Sequence, residues 1–173
     1  MNAASFFYQA GVSVLIFILL ARWYVWPFLQ RQDRRAALTL LLLPSLLRQV
    51  GATHLARTVI PNPVSLPLAW SIVVGDLACL VSALVSIMLL RSHSRLAIPV
   101  VWACFAINVV QYLGIGGWTA AEHAYDHLGP HWYVGAYYVP LLGVLQVLVL
   151  MVLLNRDWPG DARQPARTAG AAA

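Results

Sequence analysis

Arg48, Asp76, Asn108, Gln111 and Gln146 are the residues whose types could do chemistry, because each interrupts a stretch that is otherwise almost wholly apolar. The chain is 61% hydrophobic and only 10% charged, so a guanidinium, a carboxylate and three amides in such surroundings are costly and must be held for a reason. A carboxylate beside an arginine can hold or release a proton, and amides around them can orient a ligand. Asp76 is the candidate acid or base, with Arg48 as its counter-charge. Asn108, Gln111 and Gln146 are the candidate orienting groups, and Trp118, with Trp132 and Tyr133, is expected to rim an outer entrance. A second polar concentration is TAAEHAYDHLGPHW at 119–132. His123 and His127 stand four apart on one helical face, and His131 follows beyond a Gly-Pro break, so the three are candidate ligands for zinc or copper. The stretch lacks the H-E-x-x-H pattern, and a solvated surface helix explains the same residues. Thr119 and Glu122 have the spacing of a capping box, predicting a short amphipathic helix over about 120–128 in the last outer loop.

The elements that must carry these residues are read from hydropathy. Mean hydropathy is +0.73. Apolar runs cover about residues 5–22, 36–56, 66–90, 96–118 and 133–154, each long enough to cross the hydrocarbon as a helix. The expectation is an all-α polytopic membrane protein, a bundle of five transmembrane helices. Arg31, Arg34 and Arg35, then Arg91 and Arg95, then Arg156, Arg163 and Arg167 occupy alternate connections. By the positive-inside rule those connections are cytoplasmic, which puts the N-terminus outside and the C-terminus inside. Pro27 is expected to end the first helix, and the Ala, Gly, Pro and Arg-rich residues 155–173 to form a disordered cytoplasmic tail. Arginine without lysine is a bias of GC-rich bacterial genomes, so the expected location is the bacterial cytoplasmic membrane.

Projected at about 100° per residue, Gly75, Asp76, Cys79, Ser82, Ala83 and Ser86 share one small, polar face of the third run. Leu77, Val81, Leu84, Val85 and Met88 cover the opposite side. Counting about 1.5 Å per residue from the nearest span end puts Arg48, Asp76, Asn108 and Gln146 roughly 15–18 Å deep, near the midplane. Arg48 and Asp76 are therefore expected to face inward and pair.

Three functions fit. One is a bundle whose inner polar face binds or conducts a small ligand, ion or proton. Another is a membrane-embedded enzyme on a lipid or isoprenoid-like substrate, using Asp76 or the outer Glu122, His123, Asp126 and His127, with metal. The third is an accessory subunit that meets a membrane partner or its own copies through its polar seams. Scattered arginines with net charge +5 form no basic stripe, which argues against nucleic acid. Beyond membrane lipids, no cofactor is implied. Through VWPFL at 25–29, LLPSLLRQVG at 42–51, VGDL at 74–77, the Asn108 region and YYVPLL at 137–142, the chain resembles a family of uncharacterised bacterial integral membrane proteins. In helix number and orientation it is similar to the tryptophan-rich sensory protein family of translocator-like proteins. That likeness implies a five-helix bundle taking porphyrins or sterol-like ligands.

Overall fold

The computed structural model describes residues 3–55, 65–122, 132–155 and 157–161, and all regular structure among them is helical. Helix α1 (Ala3–Leu20) passes through a π turn (Ala21–Val25) into α2 (Trp26–Leu29). A tight loop leads to α3 (Arg34–Leu42), which runs on into a 3-10 segment (Leu43–Leu55). Then follow α4 (Leu66–Arg91), α5 (Ala97–Ala121), a second π turn (Val134–Tyr138) and α6 (Val139–Leu154).

Among the described residues, four helices are long and apolar enough to cross a bilayer: Ala4–Leu29, Leu66–Arg91, Ala97–Ala121 and Val134–Leu154. Their outward faces carry Leu77, Met88, Val110, Leu113 and Leu154, each at least 58% exposed. A belt of that kind is untenable in water and natural in lipid. The fifth apolar run, expected as one span over 36–56, is divided between α3 and the 3-10 segment and does not count among the four.

Proline explains where the helices depart from α geometry. Pro27, Pro44 and Pro140 each lack an N–H, and each ring presses on the carbonyl four residues back. The π turns Ala21–Val25 and Val134–Tyr138 end two residues before Pro27 and Pro140. There Trp26 N donates to Ala21 O and Val139 N to Val134 O, a five-residue step that widens the coil. Pro27 therefore does not end the first helix; the helix runs on to Leu29 through the π turn. At Pro44 the coil tightens instead, and the 3-10 form continues for 13 residues, far beyond the usual three or four.

α4 makes the most extensive helix contacts. It packs along α5 on one side and the 3-10 segment on the other, while α1 lies against α6 and its π turn. Cys79, Ala83 and Ser86 are buried along its inner face, as their shared arc requires, and Ser82 donates to Cys104 Sγ across the seam at 3.4 Å. The turn from α4 to α5 closes with Ser94 N donating to Leu89 O, with His93 in the left-handed region at φ 54°.

The two ends are fastened differently. At one, Trp158 is 2% exposed, stands edge-on to Trp26 at 5.7 Å and donates from its indole N–H to Gln32 O at 2.8 Å. Asp161 accepts from Arg34 N at 2.9 Å, and the Arg34 side chain donates to Val152 O and Leu153 O, satisfying carbonyls at the end of α6. Residues 157–161 are thus packed structure where a disordered tail was expected; an aromatic with a polar edge had a backbone carbonyl to reach. Residues 162–173 lie outside the described residues. At the other end Glu122 accepts from Ser65 Oγ at 2.6 Å and from Trp118 Nε1 at 2.7 Å, tying the start of α4 to the end of α5. Thr119 sits inside α5 and donates to Gly116 O, so it caps no new helix, and the expected capping box is replaced by this clamp. The amphipathic helix expected beyond it falls on 123–131, outside the described residues.

Two outcomes follow. Trp158→Ala is expected to lower stability by about 3–5 kcal/mol, the range for emptying a fully buried tryptophan site, read as thermal unfolding in detergent. The Ser65 hydroxyl, with help from the Trp118 indole and against the opposing effect of burial, holds the Glu122 carboxyl below its ordinary value. The clamp therefore contributes fully above the ordinary carboxyl range and is lost as pH falls through the lowered value. In Glu122→Gln, that acid-side fall in melting temperature should be blunted.

Candidate functional site

The 3-10 segment delivers Arg48 and the inner face of α4 delivers Asp76. Arg48 Nη1 donates to Asp76 Oδ1 at 2.9 Å, with the side chains 5% and 18% exposed. An isolated charge costs at least about 2.5–3.5 kcal/mol at a bilayer centre on insertion scales, so two opposite charges in an apolar bundle favour each other's company. Pairing removes most of that cost and fixes the register of the 3-10 segment against α4.

The pair forms part of the wall of a cavity of about 550 Å³, in the size range of sites for small organic ligands. The wall is mostly apolar. Phe6, Phe7 and Val14 come from α1, Ile72 from α4, Ile115 from α5 and Leu142 from α6. Its polar members are Arg48, Asp76, Gln111, Tyr112, Thr119 and Tyr138. The cavity thus occupies the half of the bundle nearer the Ser65–Glu122 clamp. The other half is filled by the main apolar cluster, with Leu38, Leu90, Val101, Val149 and Val152 fully buried.

Gln111 reaches the cavity because position 75 is glycine: a methyl there would fall on the Gln111 amide. Gln111 Nε2 donates to Ile72 O at 3.4 Å. Tyr138 is brought in by the second π turn, and its hydroxyl donates to Pro44 O at 2.9 Å, holding the junction between α3 and the 3-10 segment. A single π turn therefore contributes to the cavity wall and braces the segment that carries Arg48.

The structure brings three of the expected residues, Arg48, Asp76 and Gln111, to one cavity. Asn108 and Gln146 are buried elsewhere. Asn108 lies one turn from Gln111, donating to Cys104 O at 2.9 Å, and Gln146 is 7% exposed on α6. Trp118 belongs to the Glu122 clamp, Trp132 stacks at a tilt on Tyr137 at 6.0 Å, and Tyr133 is exposed. His123, Asp126, His127 and His131 lie outside the described residues. Sequence reasoning missed Tyr112, Tyr138 and the α1 phenylalanines. Tyr138 had a visible signal, its place two residues before Pro140, whereas the cavity role of Phe6 and Phe7 depends on which helix α1 packs against.

The ion pair gives a direct expectation. Arg48→Ala should cost up to about 3–5 kcal/mol by removing the guanidinium from which Asp76 Oδ1 accepts. The double variant Arg48→Met with Asp76→Leu, which removes both charges, should recover most of the loss in the same unfolding assay.

No curated protein and no solved structure matches the chain. A family model does match, covering residues 5–154; the pair, the cavity and three of the four long helices fall within that range, and the first helix does so from its second residue. The chain belongs to the DUF8737 family, a domain of unknown function.

Proposed function

We propose that this protein is a ligand-binding bundle of the bacterial cytoplasmic membrane, taking a small, largely apolar molecule into the cavity beside Arg48 and Asp76. The observation that carries the reading is the buried ion pair on an otherwise apolar wall. A charged pair kept only as glue between helices would be equally effective sealed among side chains, whereas here it adjoins a space of about 550 Å³. Binding is favoured over conduction by the packed half of the bundle beyond the pair, where leucine and valine fill the interior.

In this reading the divided segment makes a fifth crossing. At about 1.5 Å per α residue and about 2 Å per 3-10 residue, α3 and the 3-10 segment together extend roughly 40 Å, enough for a hydrocarbon core of about 30 Å. The loop at 30–33 and the turn at 92–96 then share the cytoplasmic end with Trp158, in keeping with Leu29, Leu90, Ala97 and Trp158 lying in one buried cluster. The cavity occupies the outer half.

Gly11 and Gly116 both line the cavity, and a side-chain carbon at either meets open space. Phenylalanine at both positions should fill the cavity and leave the melting temperature within a few degrees of the parent. Protein purified from its host membrane is expected to carry an apolar small molecule detectable by mass spectrometry of extracts. The Gly11→Phe, Gly116→Phe protein should have lost it, and identical extracts from the two would remove the reading.

A further inference from the structure

Arg34 carries a charge that its structural contacts do not use up. Its Nε and Nη2 donate to Val152 O at 3.2 Å and to Leu153 O at 2.7 Å, which takes two of the five N–H donors of a guanidinium and leaves three. Its Nη1, unlike that of Arg35, is not sealed inside the protein. Both acceptors are neutral carbonyls, so what they return to the cation is the negative end of the α6 dipole, about half an elementary charge. The Asp161 carboxylate reaches the Arg34 backbone N–H and not the guanidinium, and the ion pair among the described residues is that of Arg48 with Asp76. The charge of Arg34 is thus fixed in place and only partly compensated.

This cation borders a pocket of about 510 Å³ at the Trp158 end of the bundle, lined also by Ile98 and Trp102 of α5 and by Leu153 and Leu154 of α6. Ile98 and Leu154 stand at the ends of their helices, and Trp102 lies one turn further in. Trp102 and Leu154 are 38% and 64% exposed, on helices long and apolar enough to cross a bilayer, so this flank of the pocket faces lipid. Basic pockets between spanning helices take anionic head groups, and tryptophan concentrates at head-group depth. A fixed guanidinium above an apolar flank, with an indole beside it near the helix end, combines both features.

We propose that this pocket binds one anionic phospholipid, its phosphodiester on the Arg34 guanidinium and its acyl chains along Trp102 and Leu154. The charge of the lipid follows from the wall. Arg34 is the charged residue that lines the pocket, so a net-negative lipid balances it, whereas a zwitterionic head group brings an ammonium beside a guanidinium. The pocket shares no lining residue with the cavity beside Arg48 and Asp76, and its occupant does not depend on what that cavity holds.

Native mass spectrometry of the full chain in detergent, titrated with phosphatidylglycerol or with phosphatidylcholine of the same acyl chains, tests the assignment. Phosphatidylglycerol is expected to fill one saturable site at least about fivefold more tightly than phosphatidylcholine. Arg34→Gln, which removes the charge, and Leu154→Trp, which fills the pocket from an exposed position, should each abolish that preference. The Gly11→Phe, Gly116→Phe protein should keep it. Leu154→Trp leaves Arg34 on its carbonyls, so it decides the location even where Arg34→Gln fails to fold. Equal binding of the two lipids overturns the head-group assignment, and a preference that survives in Leu154→Trp overturns the site. Displacement of phosphatidylglycerol by an excess of inorganic phosphate overturns the lipid and assigns the pocket to a free anion.

Discussion

An ion pair in a medium that tolerates no lone charge is the constraint on which the rest of this structure turns. Arg48 and Asp76 can occupy the middle of an apolar bundle only together, so the elements that carry them have to meet at one register. That requirement accounts for the close packing of the 3-10 segment on α4. It also accounts for the small residues along the inner face of α4, where a bulkier side chain would hold its neighbours too far away. The pair is modest as a source of stability, since two well-packed apolar residues would serve as well. Its presence beside a cavity is what gives it significance.

Three prolines shape what the pair can reach. The same chemical lack, a missing backbone N–H, widens the coil before Pro27 and Pro140 and tightens it at Pro44. Tyr138, carried on one widened turn, donates to the Pro44 carbonyl and joins two of these irregular sites by a single hydrogen bond. The cavity wall is mostly regular helix, and the irregular sites add Arg48, Val134, Gly135 and Tyr138 to it.

Much of this was legible in the sequence because lipid imposes simple rules. Hydropathy located the spans of α4, α5 and α6 to within a few residues, since apolar length is what the bilayer reads. The polar arc of α4 located the seam, and the pairing of Arg48 with Asp76 followed from cost alone. Residues whose roles depend on a partner were harder to place. Glu122 has the spacing of a capping residue, and only the approach of Ser65 from a distant part of the chain shows that it ties two helices together. Trp158 lies in a run of Pro, Gly and charged residues with no periodicity, so composition suggested disorder; its burial depends on Gln32 and Trp26 waiting at the bundle end. Asn108 and Gln146 are buried and yet away from the cavity, because angular projection fixes a face and leaves open which neighbour covers it.

The strap formed by 157–161 also bears on the order of assembly. Its indole reaches a carbonyl 126 positions earlier, across three of the four long helices, so loop closure on this scale is a poor starting point for folding. It serves as a latch, set only when α2, α3 and α6 have already come together, and it leaves the Trp158 end the last part of the bundle to become rigid.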